Sequence, residues 1–235
     1  MTSVFIATPS YKPNPHPHLT EGPNYRGLDG QFAVSVEATR AVLEQHGIAS
    51  VFARFDAMMV DRARAEAVGA FLASDCTHLH WRDADIVAAP NVLGAMLGAN
   101  KPIAAAVYRR RGGLPGDWPV RLGPGETLAD LRYEIDGAGN RLAVMRSPCL
   151  GCSLMTRAAV EQVCAAHPEQ AQASWLVAGR LVHALFAPMI VSGEGLSDDY
   201  SFCERAARAS VAIYVLIDAE IEHDGLIGRL SEVLQ

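Results

Sequence analysis

Two aspartates flank one small residue in Asp83-Ala84-Asp85, directly after the short run Thr77-His78-Leu79-His80-Trp81-Arg82. An extended backbone sends side chains i and i+2 to the same face. If the strand persists that far, both carboxylates point one way at a strand's carboxyl end, where open α/β sheets bind ligands. Two carboxylates side by side are costly unless a cation lies between them or one takes a proton. The chemistry this suits is a hard divalent metal, completed by water and substrate phosphates. The plainer reading is an Asp-rich turn, since aspartate also favours loops and caps.

Three later stretches carry comparable groups. Gly151 precedes Cys152-Ser153-Leu154-Met155-Thr156-Arg157, where a glycine lets backbone approach a ligand closely. Asp198 and Asp199 stand at a helix start, as caps do too. His223 lies in Ile221-Glu222-His223-Asp224-Gly225 and is otherwise a surface histidine. Cys149 and Cys152 have the spacing of a zinc or redox pair, but no second pair completes it, so buried thiols are expected. His16 and His18 sit among prolines and read as part of a solvated loop.

The elements that must position these groups alternate. Val4–Thr8 reads as a first strand, followed by a polar loop through about Gly30. Phe32, Val36, Thr39 and Leu43 trace a helix face ending at His46-Gly47. Ser50–Phe55 reads as the second strand, and Val60, Ala63, Ala67, Val68, Phe71 and Leu72 as the next helix. Pro90 suits a first helical position, Val92-Leu93 and Met96-Leu97 recur at helical spacing, and Lys101-Pro102 stops that helix before the buried run Ile103–Tyr108. Residues 112–140 look like an insertion or hairpin, Ser153–Ala166 and Asp199–Ala209 like helices, and Val211–Ile217 like a last strong strand. The alternation predicts an α/β fold, a mainly parallel sheet with helices on both faces.

The 235 residues suit one domain, and half are hydrophobic, enough for a sizeable core. A net charge of −6 argues against a protein built mainly to grip nucleic-acid phosphates, although Arg109-Arg110-Arg111 is a local basic run. No apolar run approaches a membrane span. Five cysteines and no basic leader fit a reducing cytoplasm.

Taken in order, Thr8-Pro9, Ala63-Arg64-Ala65, Asp83-Ala84-Asp85-Ile86, Tyr108-Arg109-Arg110, Gly151, Asp198-Asp199-Tyr200-Ser201-Phe202-Cys203-Glu204-Arg205 and His223-Asp224-Gly225 resemble the GT-A glycosyltransferases, most closely the compact family-2-like and phage-type members. The resemblance spans nearly the whole chain. It departs at Ala65, where the pattern has Asn, at Asp198, where it has Glu, and at Glu204, where a basic residue is common; residues 112–140 and 168–195 match nothing in it.

The resemblance implies a Rossmann-like GT-A domain over residues 1–235, with 1–108 as the nucleotide-sugar half and 109–235 as the acceptor half. It implies a sugar moved from a nucleoside-diphosphate sugar, with UDP the expected nucleotide, to an acceptor hydroxyl with inversion. Mn²⁺ or Mg²⁺ would be held by Asp85 and His223, with Asp83 acting through water or on the ribose. Asp199 would be the base and Asp198 its neighbour at the helix start. Thr8, Pro9, Ser10, Tyr11, Arg54 and Asp56 would line the nucleobase pocket, with Arg64, Asp83, Ala84 and Gly151 near the ribose and phosphates. The acceptor is left open between a modified DNA base, which the basic run would suit, and a saccharide or small molecule. Two other readings stand beside this one. A sugar nucleotidyltransferase would need a glycine-rich phosphate loop, and Val4–Tyr11 contains no glycine. An inactive GT-A scaffold used for binding would not need Asp83, Asp85, Asp199 and His223 together.

Overall fold

The computed structural model describes residues 1–10, 30–56, 59–110, 117–123, 125–223 and 226–233. Its strands are β1 (Ser3–Ser10), β2 (Ala49–Asp56), β3 (His78–Arg82), β4 (Ile86–Ala88), β5 (Ile103–Ala105), β6 (Tyr133–Ile135), β7 (Arg141–Val144) and β8 (Cys152–Thr156), then β9 (Ala171–Ala173), β10 (Leu181–His183), β11 (Met189–Val191), β12 (Glu194–Leu196), β13 (Ile213–Leu216), β14 (Ile221–His223) and β15 (Leu226–Gly228). The helices are α1 (Gly30–Gln45), α2 (Val60–Leu72), α3 (Pro90–Ala99), α4 (Arg157–Ala166) and α5 (Asp198–Arg208).

Eight strands form one sheet in the order β2-β1-β3-β8-β5-β13-β7-β6. β1 is parallel to β2 and β3, and β5 to β13, while β8 and β7 are antiparallel to their neighbours. Six strands therefore run one way and two the other, so the sheet is mixed. The single-domain α/β expectation holds at that level.

Apolar spacing explains the first half. Phe32, Val36, Thr39 and Leu43 are buried on α1, which ends where Gly47 adopts φ 69°. β1 is buried along nearly its whole length, as a central strand covered on both faces should be. Alternation along β3 sends Arg82 to the Ser35 and Thr39 hydroxyls of α1, with His80 accepting from Arg82 on the same face, and Trp81 toward Phe186 on the opposite face. Helices thus cover both faces.

Three expectations need correction. Residues 152–156 are not the start of a helix but the central strand β8, and α4 begins only at Arg157, with Thr156 capping the Ala159 amide. A short apolar run buried on every side reads the same for strand and helix, which is why periodicity misleads there. Gly151 consequently precedes a strand. Lys101-Pro102 does not end α3; Asn100 does so one residue earlier by adopting φ 49°. Val211–Ile217 is followed by further pairing, because β14 and β15 join β4 in a small separate sheet. Of the stretches that matched no pattern, 133–144 is a hairpin on the main sheet's edge, and 171–196 forms the hairpins β9–β10 and β11–β12.

Candidate functional site

The parallel strands deliver their carboxyl ends to one edge. β1 ends in Thr8-Pro9-Ser10, β2 in Arg54 and Asp56, and β3 runs into Asp83. β8 enters from that same edge, so the Gly151 carbonyl accepts the Asp83 amide at 2.8 Å. No side chain fits at Gly151, since a methyl there would collide with the Asp83 carboxylate and the Tyr108 hydroxyl.

Arg64, on α2 and 2% exposed, is the centre of the site. Its guanidinium donates to both Asp83 oxygens at 3.2 Å and to Asp199, and lies 3.6 Å from Asp198. Asp199 also accepts the Leu150 amide at 3.0 Å. Beneath, the guanidinium lies 4.7 Å from the centre of the Phe186 ring, which stacks on Phe202 of α5. Burial opposes the charge on Arg64, yet Asp199, Asp83 and Asp198 together raise its affinity for the proton well above the ordinary value.

One cation facing three carboxylates leaves two negative charges over. Burial pushes the Asp83 carboxyl up to about 6, against the pull of Arg64, with Asp199, Asp85 and Asp198 adding to the rise. Asp198 is raised as well, again chiefly by burial. The cluster thus carries more negative than positive charge.

Asp85 and His223 form the second part. β14 pairs with β4 so that His223 lies opposite Ile86, and its Nε2 comes to 3.4 Å from the Asp85 carboxylate. The imidazole Nδ1 lies 2.7 Å from the Arg109 carbonyl, which only a donor can satisfy. That places a proton on Nδ1 and turns Nε2 toward the carboxylate: with a second proton on Nε2 the two groups are an ion pair, and without it they are two lone-pair groups facing each other. A carbonyl-anchored histidine is also a common metal-ligand arrangement. The Tyr108 ring packs 4.8 Å from the His223 ring, while its hydroxyl lies by Gly151 and Asp83, so this tyrosine spans both parts.

The expected groups are thus brought together unevenly. Asp83, Asp198, Asp199 and Arg64 share one cluster, and Asp85 and His223 share another beside it. Asp83 lies with Arg64, not with His223. Among the described residues, no three His, Cys, Asp or Glu side chains converge closely enough to hold a metal alone. Arg64 reaches carboxylates of its own chain. Thr8 is fully buried with no hydrogen-bond partner for its hydroxyl among the described residues, and Ser10 is buried. Arg54 and Asp56 pair with each other at 2.6 Å, and Ala84 packs against the core. Tyr11, the loop from Lys12 to Asp29 with His16 and His18, Arg111, Asp224 and Gly225 lie outside the described residues. All five cysteines are buried and free.

Sequence reasoning assigned nothing to Phe186, Leu150 or the Arg109 carbonyl. The last two act through backbone atoms, which no residue type announces. Phe186 sits in a stretch without helical or strand periodicity. Two cavities, of about 500 Å³ beside β6–β7 and about 320 Å³ beside the start of α3, are lined by no residue of either cluster.

No family model matches the chain, and no curated protein sequence matches it. Among solved structures, the chain is similar to A197 from STIV, with 15% identity and a TM-score of 0.49, over 98% of this chain and 91% of that one. A likeness at that level carries no argument about function.

Proposed function

We propose that the chain transfers a sugar from a nucleoside-diphosphate sugar to an acceptor hydroxyl, as the GT-A glycosyltransferases that its sequence resembles do. The observation that carries this reading is the excess of carboxylate at one strand edge: Asp83, Asp198 and Asp199 against one Arg64, with the Asp85–His223 pair adjoining. Such an excess of carboxylate would suit a divalent cation.

Asp85 and the Nε2 of His223 would be the two protein groups to hold a Mn²⁺ or Mg²⁺ ion, since among the described residues no third His, Cys, Asp or Glu converges with them. When bound, the ion would supply charge neutralisation to a diphosphate leaving group. The chain's own residues do the remainder. The Arg109 carbonyl holds the His223 ring so that Nε2 faces Asp85. Gly151 leaves room for the Asp83 carboxylate, to which we assign the ribose hydroxyl. Arg64 and the Leu150 amide fix the Asp199 carboxylate, the group we assign as acceptor base, at the start of α5. Arg64 is then an organiser of the acids. Thr8 and Ser10, buried at the end of β1, would line the nucleobase side.

The test is a donor screen. Thermal shift with UDP-, GDP-, CMP- and TDP-sugars, each with and without Mn²⁺, should single out one donor whose stabilisation needs the metal. Asp85→Ala should abolish that metal-dependent shift and leave the melting curve of the free protein unchanged. Stabilisation by no donor, or an equal response in Asp85→Ala, overturns the reading.

A further inference from the structure

A second surface stands apart from this site. Between β9 and β10 the chain turns through Ser174-Trp175-Leu176-Val177-Ala178-Gly179-Arg180. Trp175 is 65% exposed, Leu176 60%, Val177 40% and Leu181 66%. Four large apolar side chains within seven residues is a concentration that folded surfaces normally avoid.

The display is built. Glu66 of α2, only 5% exposed, accepts the Ser174 hydroxyl and the Trp175 amide, each at 2.6 Å. The Ser174 hydroxyl in turn accepts the Leu176 and Val177 amides at 3.1 and 2.9 Å, and the Ser174 amide reaches the Arg180 carbonyl at 2.9 Å. Behind the turn, Val182 is fully buried against Gly69, where no side chain would fit. A buried carboxylate given over to a hairpin turn fixes that turn's shape, yet the turn's own side chains are left in water.

Charge indicates what covers them. The protein carries 26 acidic residues in 235, about one in nine, but residues 171–193 contain none and include Arg180. The Arg62 guanidinium lies 3.8 Å from the centre of the exposed Trp175 ring. An acid-free apolar turn with tryptophan and arginine side by side is the composition that settles at a lipid headgroup boundary. The flanking cations select anionic headgroups.

We propose that the β9–β10 turn is a peripheral docking element for an anionic lipid surface, with Trp175, Leu176 and Leu181 entering the headgroup layer and Arg62 and Arg180 meeting lipid phosphates. This assignment is independent of the sugar-transfer reading.

The three tryptophans make the test direct, because Trp81 and Trp118 are buried at 0% and 5% exposure and only Trp175 can report contact. The full chain is titrated with phosphatidylcholine vesicles and with vesicles carrying roughly a third phosphatidylglycerol, enough for a clear negative surface potential. Expected are a blue shift of tryptophan emission and quenching by brominated lipid with the anionic vesicles only, weakened in high salt. Co-flotation of Trp175→Ala/Leu176→Ala should fall about tenfold, and that of Arg62→Glu/Arg180→Glu similarly, with unchanged melting curves. Three results overturn the proposal: no shift with anionic vesicles, an equal shift with neutral ones, or emission already blue-shifted in a concentration-dependent dimer, which would give this face to a second copy of the chain.

Discussion

Arg64 and Asp83 carry opposite consequences for stability. Arg64 is a buried cation neutralising half-buried acids, so Arg64→Met leaves three carboxylates facing one another. We expect a loss of about 3–5 kcal/mol at neutral pH, the usual cost of breaking a buried charge pair from one side. Asp83 is the reverse case. Its carboxyl titrates near 6 in the fold against an ordinary value of 3.8, so the folded chain binds that proton more tightly than the unfolded one. Stability from this group is present below pH 4 and is lost as pH rises through 6. Asp83→Asn should remove that decline and stabilise the protein at pH 7.5 by about 1–3 kcal/mol. Denaturant melts of both variants and the parent at pH 4.5 and 7.5 check both statements, and a parent whose stability rises over this interval would refute the second. These residues were legible by type and spacing: the paired acids, the acid pair at a helix start and the late histidine all announce themselves. Arg64 was expected beside the nucleotide, and its contacts with Asp83 and Asp199 were not foreseen. Asp85 and His223 were joined only through the family resemblance, because the three-residue strands β4 and β14 that bring them together leave no pattern of their own.

At the scale of elements, β8 and the segment from β14 onward set the site's shape. Gly151 opens β8 with its Cα against Asp83 and Tyr108. Gly151→Ala should displace the Asp83 carboxylate from Arg64, with a stability cost of about 1–3 kcal/mol, typical of overpacking. Donor affinity should fall more than stability does, and calorimetry beside a denaturant melt separates the two. The Arg109 side chain packs against Gly228 and pairs with Glu232 at 2.5 Å, while its carbonyl anchors His223. That ion pair is partly exposed and worth about 0.2–1 kcal/mol. Glu232→Gln should therefore barely move the melting curve yet raise the Mn²⁺ concentration needed for donor stabilisation several-fold. An unchanged metal titration would show that the turn after β15 plays no part in holding His223. The helices α1 and α3 were readable in the sequence because each buries one stripe of mainly apolar residues, whereas α2 is buried continuously from Ala63 to Gly69 and was readable from its apolar spacing alone. β8 was misread as helix because it is buried on all sides and presents no stripe at all. The basic run is likewise altered by its setting: Arg109 is committed to Glu232 and Arg110 lies 3.5 Å from Asp117, so neither stands as an unpaired phosphate contact.

Over the whole molecule, the division of the chain into a nucleotide half and an acceptor half does not correspond to two folding units. β8 fills the slot between β3 and β5 and pairs with both. A fragment ending at Tyr108 would leave β3 with one bare edge and β5 with two, since β13 also comes later in the chain. Bare central edges invite association. We expect fragment 1–108 to aggregate or show no cooperative melt, whereas the full chain unfolds in one transition, with circular dichroism and light scattering as the checks. The same insertion has a kinetic consequence. During synthesis the chain must wait for Thr156 before its central gap can be closed, and closure matches a late strand to an edge made about eighty residues earlier, as in the pairing of Leu79 with Met155. A molecule that trapped β8 one residue out of step would reverse every side chain of that strand between the two faces. It would also carry the Gly151 carbonyl away from the Asp83 amide. Such a molecule could be nearly as compact as the native one and still misplace its acids, so the correct insertion of a single five-residue strand is the point at which the fold and the placement of the acid cluster are decided together.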